Sequence, residues 1–140
     1  MFLEKPPIIV DTNILFSALL RNQSKFADVI LAIDYHFFVC ELVLVELFKR
    51  KEKIVKLSQL TEEEIIHIYH IFLKRITLYK EDLMTRENLV NAYELCRDID
   101  ESDTPHVALT LELNGLLWTG DKKLKSGLKQ KGFTQFFEPN

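Results

Sequence analysis

Short β-branched or aromatic runs alternate along this chain with longer stretches whose apolar residues recur every three or four positions. Ile8-Ile9-Val10 is a β-branched run that predicts a buried strand. Helical spacing follows over residues 13–20, led by Asp11-Thr12-Asn13, and again over 24–34. Residues 36–40 form a second apolar, aromatic run of strand length, and 42–56 continue as an amphipathic helix with a strongly basic end. Thr61-Glu62-Glu63-Glu64 has the spacing of a capping box and opens a helix through Ile65, Ile68, Ile71 and Phe72. Residues 76–79 predict a third strand, and Leu89, Tyr93 and Cys96 place a helix over 86–97. Thr104-Pro105 starts another helix, since proline is favoured in a first turn, and Asn114-Gly115 stops it. Residues 116–119 then read as a strand, 121–131 as a helix and 133–137 as a final short strand.

Strands that alternate with helices imply right-handed crossovers and a mostly parallel sheet covered on both faces, an α/β architecture. No repeat, low-complexity tract or linker interrupts the pattern, so residues 1–140 read as one domain. Sheets of this kind bind ligands at the carboxyl ends of their strands.

Composition narrows the class without deciding it. With 140 residues, 47% of them hydrophobic and 28% charged, the chain has the make-up of a globular protein. Residues 1–7 lack the continuous apolar run of a signal peptide, and no stretch reaches the length of a membrane span. A cytoplasmic protein without a membrane partner is expected. Cys40 and Cys96 are far apart and form no C-x-x-C pair, which predicts reduced, partly buried thiols. A net charge of −3 argues against a general DNA-coating protein. Basic residues nevertheless concentrate at Lys49-Arg50-Lys51 with Lys53 and Lys56, and between Lys122 and Lys131.

Acidic residues fall where a parallel sheet would use them. Asp11 directly follows the first strand, and Asp121 follows the strand at 116–119 after one glycine. Asp103 begins the helix that leads into that strand, and Glu46 lies one turn into the helix after the second strand. Topology therefore predicts that four carboxylates from remote segments converge on one edge. Clustered carboxylates repel unless protons or a cation neutralise them. A hard divalent ion with oxygen ligands suits the task and leaves room for a phosphate. Each position also has a plainer reading. An aspartate before a helix is a good N-cap, and Glu46 has Arg50 four residues on as an ion-pair partner.

The segments Ile9-Val10-Asp11-Thr12-Asn13-Ile14-Leu15, Glu41-Leu42-Val43-Leu44-Val45-Glu46-Leu47, Asp100-Glu101-Ser102-Asp103-Thr104-Pro105 and Trp118-Thr119-Gly120-Asp121 closely resemble the four motifs of PIN domains, in the same order. The resemblance runs from residue 8 to about 133. It implies a PIN-like three-layer α/β/α sandwich in which Asp11, Glu46, Asp103 and Asp121 are the metal-binding, catalytic acids. Asn13 and Thr119 match the neighbouring polar positions that support the metal or its waters. Active members of the family cut RNA with Mg²⁺ or Mn²⁺. Many small bacterial ones are toxins of toxin–antitoxin pairs, homodimeric and silenced by an antitoxin protein. Some of those toxins carry a further acid shortly after the last aspartate. Here Lys122, Lys123 and Lys125 stand in that region, and Asp100 is either a substitute or a solvated loop residue.

Lys49, Arg50, Lys122 and Lys123 are candidate contacts for a substrate's phosphate backbone, or else a solvated basic helix end. Lys125, Lys129 and Lys131 read as solvated surface. His67 and His70 lack the glutamate and third ligand of a metal motif, so they read as packing residues, exposed or half-buried; His106 is expected on a helix surface. An endoribonuclease is the leading reading, with a PIN-like module that binds RNA or protein without cutting as the alternative. A phosphoacceptor fold fits less well, because the position two residues after Asp11 is Asn13 where a phosphatase has a second aspartate.

Overall fold

In the computed structural model, residues 5–20, 28–30 and 34–139 are described. Four strands form one sheet: β1 (Ile8–Val10), β2 (Phe37–Cys40), β3 (Ile76–Tyr79) and β4 (Leu116–Trp118). All pair in parallel in the order β3-β2-β1-β4. Ile8, Ile9 and Val10 stand beside Leu116, Leu117 and Trp118, while Ile8 also registers with Phe37. The chain leaves β1 toward β2 and β3 and returns to β1's other side with β4. The carboxyl ends of β1 and β4 thus flank the point where strand order reverses, the place such sheets use for ligands.

Helices cover both faces. Along β1 the side chains alternate as pleating requires. Ile8 and Val10 join Phe37, Val39 and Trp118 in one buried cluster; Ile9 joins Leu117 in another. The first cluster is filled by α1 (Thr12–Leu20), α2 (Glu41–Lys49), α3 (Lys51–Leu57) and α4 (Glu62–Arg75), through Leu15, Leu19, Val43, Leu47, Ile54 and Phe72. The second is filled by α5 (Arg86–Cys96), α6 (Thr104–Leu113) and α7 (Lys122–Gln130), through Ala92, Val107, Leu109, Leu124 and Leu128. The result is the three-layer α/β/α arrangement with a wholly parallel sheet. Among the described residues, no helix is long and apolar enough to cross a membrane.

Local chemistry explains most element ends. Thr61 and Glu64 make the reciprocal capping box, with bonds of 3.1 and 3.0 Å. Asn114 ends α6 in the left-handed conformation, at φ 50°. Gly115 then passes so close to the strand leading into β1 that an added Cβ would sit 2.4 Å from the Pro7 carbonyl oxygen.

Three expectations need correction. The helix predicted over 42–56 is two helices divided at Arg50, because no buried side chain anchors the stretch between Leu47 and Ile54. The strand predicted over 133–137 reduces to a single bridge, Leu117 with Phe136. Phe133 and Phe137 pack into opposite clusters, whereas residues four apart in a regular strand share a face. Asp121 stands before its helix, as the cap. Of the helix predicted over 24–34, residues 28–30 are helical, and 24–27 and 31–33 lie outside the described residues. Both cysteines are free thiols and both are buried; Cys40 donates to the Pro105 carbonyl at 3.2 Å.

Candidate functional site

The first carboxylate is placed by strand pairing. The Asp11 backbone N–H donates to the Trp118 carbonyl at 3.0 Å, which carries the β1–β4 ladder one residue past the strand ends. Its side chain is consequently held between the two strands and is only 3% exposed. Oδ2 accepts a 2.7 Å hydrogen bond from the Thr119 hydroxyl, and Oδ1 accepts from the Asn13 backbone N–H at 3.3 Å. Thr119 is itself buried and accepts from the Asp121 backbone N–H at 3.2 Å. One hydroxyl therefore links the residues after β1 to those after β4.

Asp103 arrives from the other side, on the short 3₁₀ turn Glu101–Asp103 that runs into α6. It is 8% exposed and makes no capping bond to that helix. Burial, then the charges of Asp11, Asp100, Asp121 and Glu46, push its carboxyl up to about 7. Asp121 does cap α7, accepting from the Leu124 N–H at 3.1 Å, and still borders the same cavity. Glu46, half-buried on α2, completes the acids; among the described residues it forms no ion pair with Arg50, whose guanidinium lies 5.0 Å over the Phe16 ring.

Together these side chains border a cavity of about 220 Å³ that all four predicted acids and Asn13 line. Arg50 reaches the same cavity, whereas Lys49, Lys122 and Lys123 are exposed and do not line it. Asp100 lines the mouth, where its Oδ1 accepts from the Ser102 N–H at 3.0 Å and hydroxyl at 2.6 Å. Those two bonds hold its carboxyl below the usual carboxylate range. His67 and His70 are exposed, far along α4.

His106 departs from expectation. It is 2% exposed, not on a helix surface, because α6 is buried over Val107, Ala108, Leu109 and Thr110 as well. That unbroken apolar run after Pro105 is the signal by which its burial was readable. Its Nε2 lies 3.7 Å from Asp11 Oδ1 and 3.4 Å from Thr12 Oγ1. Burial lowers its affinity for a proton, against the opposing pull of Asp11, Glu46 and Glu81.

Asp11, Asp103 and His106 present ligand atoms all within 4.8 Å of one another. The donor set suits a divalent cation, since burial and neighbouring charge both disfavour an ionised Asp103 and a cation would offset both.

A family model described as the PIN domain matches residues 9–136. Two solved structures resemble this one. VapBC2 from Rickettsia felis, solved bound to a DNA fragment from their promoter, is 20% identical with a TM-score of 0.62, over 85% of this chain and 91% of that one. PAE2754 from Pyrobaculum aerophilum is 14% identical with a TM-score of 0.60, over 91% of this chain and 85% of that one. At those identities the likeness is one of fold. A search of curated proteins found no match.

Proposed function

The chain belongs to the PIN-domain family, and we propose that it is a Mg²⁺- or Mn²⁺-dependent endoribonuclease of one domain. The observation that carries this reading is the shared cavity of Asp11, Glu46, Asp103 and Asp121 at the sheet's switch point. Asp11 and Asp103 would hold the ion, with Glu46 and Asp121 bearing on it directly or through its waters. When bound, such an ion activates water and neutralises charge on a phosphodiester.

The protein's own part is positional. Thr119 and the Asn13 backbone orient the Asp11 carboxylate, and the burial of Asp11 and Asp103 reduces screening of their charges by water. Asp103, whose carboxyl burial and neighbouring charges push up to about 7, would have to be deprotonated to hold such an ion. Arg50, with Lys49, Lys122 and Lys123 on the flanking surfaces, is suited to the phosphate backbone, which favours affinity without reading sequence.

The family and its small toxin members support a further assignment, the toxin of a toxin–antitoxin pair in the cytoplasm. The structurally similar VapBC2 was solved bound to a DNA fragment from their promoter. Exposed Leu44, Val45 and Phe48 on α2 offer apolar surface for a second copy or an antitoxin protein.

The test is cleavage of total RNA by purified protein with Mg²⁺ or Mn²⁺ and with chelator, beside Asp11→Asn. Metal-dependent cutting that the variant abolishes while remaining folded is the expected result. Binding of RNA without any metal-dependent cutting would establish a non-catalytic module instead.

A further inference from the structure

A second cavity, of about 160 Å³, opens beside the acid cavity and shares two of its lining residues, Asn13 and Arg50. It lies between two helical faces. Asn13, Phe16 and Leu20 recur at helical spacing along α1, and Lys53, Ile54 and Leu57 do so along α3. Phe16 and Ile54 are buried in the core and Leu20 packs against it, so the floor is apolar and anchored. Leu57 stands at the rim, 56% exposed.

The two cavities carry opposite charge. Carboxylates dominate the lining of the first; among the described residues, none that lines the second is acidic, and Arg50 and Lys53 border it. Neither cation pairs with a carboxylate among the described residues. Arg50 stands at the junction, where the Phe16 ring holds its guanidinium at 5.0 Å. Its charge is therefore in place before any ligand arrives.

An apolar floor with cations at its rim matches the two halves of a nucleotide, a flat base and an anionic phosphate. Unpaired bases stack on aromatic and apolar side chains and on guanidinium planes, while the backbone follows positive charge. A base inside a duplex has its faces covered by its neighbours and cannot enter. A peptide helix docks through anchors spread along successive turns, for which a cavity of this size leaves little room.

We propose that this groove is a nucleobase subsite: it seats one unpaired base of an RNA, and Arg50 and Lys53 hold the phosphates on either side of the junction with the acid cavity. The proposal rests on the nuclease reading above and adds to it a reason for choosing single strands. The base enters between α1 and α3, and the adjoining phosphate is thereby delivered to the acids.

The test compares a single-stranded octamer of uridines with an octamer of the same backbone whose nucleotides carry no bases. Affinities are read by fluorescence anisotropy in chelator, so that nothing is cut. Wild-type protein should bind the uridine octamer about fivefold more tightly or better. Leu57→Asn, at an exposed position, should narrow that gap about twofold or more. Lys53→Ala should weaken both octamers alike and lower the salt slope by about one. Leu73→Asn, equally exposed on α4 and outside the groove, should match wild type. Equal binding of the two octamers by wild type overturns the proposal without recourse to any variant. A gap that Leu57→Asn leaves unchanged also overturns it, and assigns the groove to a protein partner if wild type still cuts RNA with metal. Wild-type protein that neither binds nor cuts RNA overturns the nuclease reading itself, and the subsite with it.

Discussion

The Thr119 hydroxyl donates a 2.7 Å hydrogen bond to Asp11 Oδ2 across 108 positions of sequence, and both side chains are buried. No other described side chain donates to that oxygen. Thr119→Val keeps the shape and removes the donor. It should cost about 1–2 kcal/mol of stability, the price of an unmet buried acceptor, and weaken Mn²⁺ binding about tenfold or more. Urea unfolding and Mn²⁺ titration measure the two effects separately, and a variant as stable and as tight as wild type would contradict the orienting role.

Asp103 makes the metal-free protein pH-sensitive in a direction opposite to most carboxylates. Its folded carboxyl keeps a proton up to about 7, while the unfolded chain releases it near 3.8. Between those values the native state binds more protons, so this group's contribution is full below about 4 and is lost as pH rises through 7. Thermal melts in chelator should therefore show the contribution falling from pH 5 to pH 8. Mn²⁺ displaces the proton, so its stabilising effect should grow over the same range. Asp103→Asn should melt higher than wild type at pH 8 in chelator and gain little from Mn²⁺.

Arg50 is the basic side chain that reaches the acid cavity. Arg50→Ala should weaken binding of a single-stranded RNA and lower the slope of log affinity against log salt by about one. Titrations by fluorescence anisotropy at several salt concentrations test this. A slope unchanged by the substitution would leave Arg50 to its packing on Phe16.

The capping box of α4 separates folding from chemistry. Thr61→Ala removes the bond to the Glu64 N–H and should cost about 1 kcal/mol. Mn²⁺ affinity should stay at the wild-type value, because α4 contributes nothing to the acid cavity. A shift in affinity would mean that the helices of that face couple to the site.

What the sequence by itself determined was local. Strand runs, the capping box, the Asn114-Gly115 stop and the order of the acidic motifs are written in neighbouring residues, since period and cap chemistry act over a few positions. The parallel topology then followed from alternation, and with it the prediction that the acids after β1 and β4 meet. Tertiary structure alone decided the rest. His106 meets Asp11 and Thr12 because the start of α6 packs beside the end of β1, a placement its own spacing does not specify. Phe133 and Phe137 leave the strand pattern because two different cores claim them. Arg50 leaves Glu46 for the Phe16 ring, and Thr119 finds Asp11 and not its own helix. Asp121 keeps its capping bond while Asp103 does not, so identical residues before helices part company. Each of these outcomes depends on which distant surfaces are brought within a few ångströms, and chain-local chemistry carries no information about that.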